Sequence, residues 1–274
     1  MHEKETLMGK RSLAVFGAAV LAASQAFAGL YYEAKTSASG RKGADMQNTT
    51  VKAWVAGDKA KVVFAESENP MAKAGMYMIT TDGGKSVYMV NPEDKQYFAW
   101  DVNSLAGMAG GMMKMMNMKI TDPKVVKVGE EKGDTIVGLP TVHYTYNISY
   151  AQSMKFMMIK KNSKITKVQE VWTAPKLVDA ALGTYLRKEP PSVGDDEFDK
   201  LIKAEMAAMK GFPLRMRMVQ TDTDEKGKSE TTTTVIEVTK LDLEFATPDS
   251  TFVIPPDYEE VQMSAMMGPG GGQK

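Results

Sequence analysis

The chain has 274 residues, with 34 lysines and arginines, 34 aspartates and glutamates, and no cysteine. This charge balance gives no electrostatic reason to bind nucleic acid or an anionic membrane surface. The lack of cysteine excludes disulfides, thiolate metal sites, cysteine catalysis and a lipid-modified N-terminal cysteine. A chain of this length can instead bury one large apolar core.

Residues 1–28 have the pattern of a secretory signal peptide. Lys10 and Arg11 form a basic region, an apolar run at 13–23 follows, and Ala-Phe-Ala ends at Ala28 as a small-residue cleavage site. The apolar run is shorter than the ~20 residues of a transmembrane helix. We therefore expect cleavage after Ala28 and export to the periplasm, with no transmembrane anchor left. The exported chain would carry 31 basic and 32 acidic residues, because the segment removed holds three and two.

The two ends of the chain lie outside the expected domain. Glu3 and Glu5 suit a basic region poorly, so translation starts at either Met1 or Met8. Residues 263–274 are rich in glycine and methionine without periodicity, which predicts a disordered tail. No proline-, glycine- or serine-rich linker interrupts residues 29–262, so one domain is expected there.

Short runs rich in β-branched and aromatic residues recur along the chain, separated by turn residues. This pattern predicts an antiparallel meander of about ten strands. Apolar and polar residues alternate strictly over 140–150, so that strand has one apolar and one polar face, and we predict a single sheet rather than a sandwich. The predicted strands are 49–56, 60–66, 76–81, 85–90, 95–100, 124–130, 136–150, 153–161, 164–172, 212–223 and 230–243.

Three helices are predicted between the strands. Residues 195–210 place apolar side chains on one helical face and begin with acidic residues, which the helix dipole favours. Residues 176–186 are a shorter candidate, and residues 103–118 are a third, weakened by glycines in its first half. One many-stranded sheet with a few helices predicts an α+β fold in which the helices pack on one face of the sheet.

Several stretches resemble a known architecture. KAWVAGDKAKV and VYMVNPEDKQYF are similar to the opening strands of periplasmic LolA/LolB-like lipoprotein carriers. VGEEKGDTIVGLPTVHYTY and FATPDSTFVIPPDYEEV resemble a middle and a closing segment of related domains. We identify residues 29–262 as similar to an uncharacterised family, a domain of unknown function, within that superfamily. The resemblance implies a strongly curved antiparallel sheet, an incomplete barrel, whose apolar concave face is covered by helices and receives acyl chains.

The stretch AGMAGGMMKMMNMK at 106–119 carries six methionines. Thioethers are soft ligands, and the spacings within 112–118 could supply three sulfurs to copper(I). Flexible thioether chains also suit a surface that repacks around varied apolar shapes. Because methionine is frequent throughout the chain, we predict that this stretch covers an apolar pocket. Plain core packing and a copper(I) site are the alternatives.

The sequence shows no common catalytic pattern. His143, the only histidine beyond the signal peptide, lies on the polar face of its strand without a nucleophile pattern, and we interpret it as a solvated residue. The carboxylate pairs 130–131, 195–196 and 259–260 are chain neighbours whose side chains diverge. Phosphate-loop, dinucleotide-binding and HExxH motifs are absent. We therefore predict a protein that is not an enzyme and carries no cofactor or metal.

The sequence favours a periplasmic binding or carrier protein for an apolar, acylated or lipid-like ligand. Each acyl CH₂ moved from water into such a pocket would gain about 0.8 kcal/mol. The alternatives are a methionine-rich copper(I)-handling protein and an envelope assembly module that docks partner proteins through exposed methionines. The predicted ligand-binding residues are Trp54, Phe64, Met78, Met113, Met116, Met158, Met216 and Met218.

Overall fold

The structure is a computed structural model that describes residues 29–70, 72–99, 117–156, 159–180, 195–208 and 211–262. Within these residues twelve β-strands form one open sheet, and Asp196–Ala208 is the one α-helix, α1. The fold is therefore mainly β rather than α+β, and the strand count is twelve rather than about ten. The single sheet is confirmed. No helix in these ranges is long and apolar enough to cross a membrane.

The sheet consists of two meanders joined side by side. Consecutive strands pair antiparallel from β1 to β6 and from β7 to β11, and β1 pairs with β11. The short β12 pairs parallel with β6 at one edge, and β7 forms the other edge. The strands are β1 Leu30–Gly40, β2 Thr49–Ala56, β3 Lys59–Ser67, β4 Tyr77–Thr80, β5 Tyr88–Asn91, β6 Gln96–Ala99, β7 Lys119–Ile136, β8 Leu139–Phe156, β9 Ile159–Ala174, β10 Phe212–Asp224, β11 Ser229–Asp242 and β12 Glu259–Glu260.

The β7–β8 hairpin differs from its prediction. The sequence suggests a turn after residue 130 and a strand over 136–150, but β7 continues to Ile136 and the turn is formed by Val137 and Gly138. Both turn residues have positive φ, 43° and 81°. Such a turn usually carries Asn-Gly, so a valine in the first position conceals it. The pairing of β7 with β8 shifts register at three places, and β7 continues across them as one strand.

One other strand prediction needs correction, and one strand was not predicted. The predicted strand 153–161 belongs to two strands, because β8 ends at Phe156 and β9 begins at Ile159. The sequence does not predict β1, whose second half is serine, glycine and other small or polar residues of low β propensity. Residues 49–56, by contrast, match β2 in both bounds.

One predicted helix is confirmed. α1 corresponds to the prediction over 195–210, and the Asp195 carboxylate caps it by accepting a hydrogen bond from the Phe198 N–H at 3.0 Å. Of the predicted helix 176–186, the described part is a 3₁₀ helix at Pro175–Ala180. The predicted helix 103–118, apart from residues 117 and 118, and the tail 263–274 lie outside the described residues.

Different parts of the chain pack on the two faces of the sheet. On one face, which we call the helix face, Leu201 of α1 packs against Tyr144 and Ile148 of β8. On the other, which we call the tail face, Phe252 in the chain after β11 packs against Ile79 of β4 and Val90 of β5. Because paired residues of neighbouring strands point to the same side, the register assigns each paired strand residue to one of these faces.

The largest apolar cluster lies where the two meanders meet, and its centre is on the helix face. Tyr32 of β1, Ala53 of β2, Leu214 of β10 and Val238 of β11 belong to it, and Leu177 of the 3₁₀ helix packs onto it. All five side chains are buried. This cluster joins the two meanders, because its members come from both sides of the β1–β11 pair.

Candidate functional site

The structure describes five of the eight predicted ligand-binding residues. Phe64 is on β3, Met78 on β4, Met216 and Met218 on β10, and Trp54 on β2. Met113, Met116 and Met158 lie outside the described residues, as does the methionine stretch up to residue 116. At the end of that stretch, the Met118 sulfur accepts a hydrogen bond from the Gln152 amide at 3.4 Å. The copper(I) alternative therefore stays a prediction.

Trp54 does not share a surface with the other four residues. Its neighbour Ala53 pairs with Tyr32 on the helix face, whereas Trp54 pairs with Tyr31. Successive strand residues point to opposite faces, so Trp54 lies on the tail face. There its ring is 5.2 Å from that of Tyr31, and it packs against the cluster around Phe252. We therefore exclude Trp54 from the candidate site.

The remaining four residues share the helix face but form two groups. Phe64 and Met78 pack with the buried residues Met89 and Phe98 near the β12 edge. Met216 and Met218 lie on β10, and strands β2, β1 and β11 separate them from the first group. The sequence did not show that other strands lie between the two groups.

Sheet register gives Met216 and Met218 their immediate neighbours. Met216 pairs with Ile236 of β11, which pairs with Thr36 of β1, and Met218 pairs with Thr234, which pairs with Ala38. All of these side chains are half-buried. We call this set the methionine strip, which consists of Thr36, Ala38, Met216, Met218, Thr234 and Ile236.

Buried residues border the methionine strip on two sides. On β9, Val171 and Gln169 pair with its two methionines and are buried. Along the strands, Leu214 and Val238 belong to the buried core. The strip is therefore a partly exposed apolar surface that continues directly into the packed interior.

One end of the strip carries a positive charge. Lys167 of β9 pairs with Gln220, two residues beyond Met218 on β10. Its side chain is only 12% exposed, and its ammonium donates to the Glu205 carboxylate of α1 at 3.0 Å. The same ammonium lies 5.5 Å from the ring centre of Tyr150. Lys167 and Glu205 thus link α1 to the sheet beside the strip.

The tail face carries a second cluster, centred on Trp172 of β9. The His143 ring stacks on Trp172 from β8, and the Arg215 guanidinium lies 5.5 Å from the indole on the β10 side. His143 Nδ1 is 3.0 Å from a Glu131 carboxylate oxygen, and the histidine side chain is only 14% exposed. The prediction of a solvated histidine is wrong, because the β8–β9 register places this ring against an indole.

The charges of the Trp172 cluster pair with one another. Arg215 donates to Glu237 at 2.7 Å and to Asp134 at 3.1 Å, and Arg217 donates to Glu170 at 2.7 Å. The hydrogen bond with Glu237 raises the pKa of Arg215. These contacts connect β7 to β11, which is typical of a structural network across strands. We therefore assign the cluster to stability and keep the methionine strip as the candidate ligand site.

The comparisons with known proteins bear on both surfaces. A family model described as a domain of unknown function, DUF4412, matches residues 44–258. The chain belongs to this family. Comparison with the curated proteins gives no match. The DUF4412 match includes the methionines of the strip and the whole Trp172 cluster, while β1, which completes the strip, precedes the matched range.

Proposed function

We propose that this DUF4412 protein is a periplasmic, non-enzymatic carrier that binds an apolar ligand with one polar end on the methionine strip. The observation behind the proposal is that Met216, Met218 and Ile236 are only half-buried. They lie directly beside the buried core residues Leu214, Val171 and Val238. A ligand laid over these side chains would remove further apolar surface from water, which is the main source of affinity for such molecules.

The chemistry of the strip suits an alkyl chain. Thioether side chains are flexible and polarisable, so Met216 and Met218 can adapt to chains of different length. About ten methylenes moved out of water would contribute roughly 8 kcal/mol, from which the cost of ordering the ligand is subtracted. The Lys167 ammonium at one end of the strip is placed to attract an acidic headgroup, in competition with Glu205.

The proposal adopts the architecture of LolA/LolB-like carriers. In it the open sheet is strongly curved, with the helix face on its concave side, so that Phe64 and Met78 face the methionine strip across the hollow. The signal-peptide pattern in residues 1–28 supports a place in the bacterial envelope, where acylated molecules need an apolar carrier.

Movement of α1 would regulate access to the site. The described contacts of α1 lie mainly at β7, β8 and Lys167, next to the strip rather than over it. A small displacement of the helix would therefore widen the apolar surface without opening the core around Leu214. We propose this helix as the movable border of the ligand site.

Lipid extraction and ligand titration test the proposal. The protein purified from its native envelope is extracted for lipid mass spectrometry and titrated with a fluorescent fatty acid. We expect bound lipid and saturable binding. The variant Met218→Lys, which places a charge in the strip, should bind at least about tenfold more weakly, because an unpaired ammonium must then be desolvated. Val253→Lys is the control, since Val253 lies after β11 and is already 56% exposed.

Two outcomes would contradict the carrier function. One is a purified protein that contains no lipid and takes up no fluorescent fatty acid. The other is equal binding by the Met218→Lys variant and the wild type, which would move the ligand away from the methionine strip.

A further inference from the structure

The β8–β9 hairpin projects beyond the strands on both sides of it. β7 begins at Lys119, which pairs with Ser153, and β10 ends at Asp224, which pairs with Ser163. The three outermost pairs of the hairpin therefore have no described strand beside them, and they extend about 10 Å beyond β7 and β10. These pairs are Met154 with Lys161, Lys155 with Lys160 and Phe156 with Ile159. A two-stranded ribbon of this kind has little stability of its own in water.

The charged residues of the projecting part are all lysines. Residues 149–166 include four lysines and no acidic residue. Lys155 and Lys160 occupy directly paired positions, where like charges repel and reduce stability. The side chains of Lys155 and Lys161 are exposed, as is that of Lys119 at the start of β7. We call the basic residues at this end of the sheet the lysine collar, which consists of Lys119, Lys155, Lys160, Lys161 and Lys164.

No acidic side chain pairs with the lysine collar within the described part of the chain. Lys167, further along β9, is in an ion pair, whereas the described side chains of the collar are in none. The Asp224 carboxylate accepts hydrogen bonds from two N–H groups of its own turn, and Glu225 accepts one from the Asn162 amide. Asp122 lies further back, between the β7 residues that pair with β8 before Gln152. These carboxylates are therefore at the base of the hairpin, and its end carries only positive charge.

The end of the hairpin is apolar. Its last pair is Phe156 with Ile159, and all four residues 156–159 are apolar, with the sequence FMMI. Exposed turns are usually formed by glycine, proline, asparagine, aspartate and serine, none of which occurs in these four positions. Apolar residues in front of a group of lysines are typical of a segment that enters the boundary between lipid headgroups and acyl chains.

Charge complementarity identifies the surface that fits this end of the sheet. An anionic bilayer attracts lysines, and interfacial segments lie about 5–10 Å deep in it, which matches the projection of the hairpin. Nucleic acid would also attract the lysines, but its phosphate backbone offers no apolar environment to residues 156–159. The overall charge balance of the sequence gave no reason to expect such a surface, because only the pairing of β7, β8 and β9 brings these lysines together. We infer that the β8–β9 hairpin docks the protein on an anionic lipid bilayer, with its apolar end among the headgroups and the lysine collar on the phosphates.

Co-sedimentation with phosphatidylcholine vesicles, with and without phosphatidylglycerol, tests the inference. We expect the protein to bind the anionic vesicles, to bind them more weakly as the salt concentration rises, and to bind the neutral vesicles poorly. The double variant Lys155→Glu/Lys161→Glu should bind at least about tenfold more weakly, because two attractive charges become repulsive. This variant should fold normally, since the change at Lys155 turns a like-charge pair into an opposite-charge pair.

A second double variant with the same change in net charge is the control. Lys73→Glu/Lys85→Glu alters two exposed lysines in the connections before and after β4, in the other meander, and should bind like the wild type. Phe156→Ser tests the apolar end and should bind more weakly even at high salt, where the attraction of the lysines is screened. Fatty-acid binding should be unchanged in Lys155→Glu/Lys161→Glu, because Met218 pairs with Gln169, eight residues along β9 from Lys161.

Several results would overturn the inference. One is a wild type that does not bind the anionic vesicles, and another is equal binding by Lys155→Glu/Lys161→Glu. An equal loss in Lys73→Glu/Lys85→Glu would show that net charge alone, rather than the hairpin, decides binding. Phe156→Ser that binds like the wild type at every salt concentration overturns the entry of the apolar end. A wild type that binds duplex DNA and not the vesicles would assign the lysine collar to nucleic acid.

Discussion

His143 and Trp172 lie ring against ring, with centroids 4.2 Å apart and planes within 9° of parallel. The two side chains come from neighbouring strands, and Arg215 approaches the indole from the strand on its other side. Because Glu131 contacts the histidine, and Asp134 and Glu237 contact the arginine, the stack fastens edge strand β7 to the middle of the sheet.

Replacing Trp172 by alanine should therefore destabilise the protein substantially. The substitution removes the surface on which His143 and Arg215 both rest, and we expect a loss of about 3 kcal/mol in the free energy of unfolding. Urea unfolding followed by circular dichroism measures it. His143→Phe is the matched control, because a phenyl ring preserves the stack and loses only the contacts with Glu131 and Glu170. If His143→Phe costs as much as Trp172→Ala, stacking is not the source of the stability.

Gly133 is required because Trp172 leaves no room for a side chain. A Cβ atom at this position would lie 2.4 Å from Thr141 Oγ1 and 2.9 Å from Trp172 Cδ1. Thr141 cannot yield easily, since it is buried and its hydroxyl donates to the Asp134 carbonyl at 2.6 Å. We expect Gly133→Ala to cost about 1–3 kcal/mol in urea unfolding.

A second glycine of β7 provides the control for Gly133. At Gly129 the nearest atoms to a Cβ are those of Thr145, at an ordinary contact distance of 3.4 Å. Gly129→Ala should therefore change the free energy of unfolding by less than about 0.5 kcal/mol. Equal effects of the two substitutions would show that loss of glycine flexibility, rather than the crowding at Trp172, limits this strand.

Local patterns predicted the parts of the fold that depend on neighbours in the chain. The alternation around Met216 and Met218 assigned both to one apolar face, and the spacing of apolar residues located α1. The same alternation along β2 places Trp54 on the face opposite Ala53. The position of Trp54 near a strand end, on which its prediction as a ligand-binding residue was based, does not identify its face.

Other features depend on pairings that no local pattern encodes. Thr36 and Ala38 join the methionine strip only because β1 pairs with β11, which brings Thr36 next to Ile236, about two hundred positions away. His143 meets Trp172 only because β8 ends at Phe156 and β9 begins at Ile159, within a run that the sequence suggests is one continuous strand. Which residues make up either surface therefore depends on strand pairings that the local sequence pattern does not show.

The ion pair between Lys167 and Glu205 should hold α1 on the sheet. Both side chains are less than one-third exposed, so Glu205→Gln leaves a poorly solvated ammonium without its partner, and we expect a loss of about 1–2 kcal/mol. Amide hydrogen exchange should show the loss as faster exchange in α1 and little change in β10. Glu197→Gln removes a more exposed pair with Lys200 on the same helix, and solvent screening should make its cost clearly smaller. Uniformly faster exchange in the whole sheet would contradict a local role.

Alkaline pH should destabilise the protein through its buried tyrosines. Burial raises the pKa of Tyr150 to about 12, with smaller contributions from Glu205 and Asp222, and burial likewise raises the pKa of Tyr77 to about 12. The unfolded chain releases these protons near the ordinary pKa of 10.0, whereas the folded protein keeps them. The stability conferred by the neutral hydroxyls is therefore complete below pH 10 and declines as the pH rises from about 10 to about 12.

Urea midpoints measured across this range should fall for the wild type and fall less steeply for Tyr150→Phe. A variant whose midpoint has the same pH dependence as the wild type would show that Tyr150 titrates alike in both states.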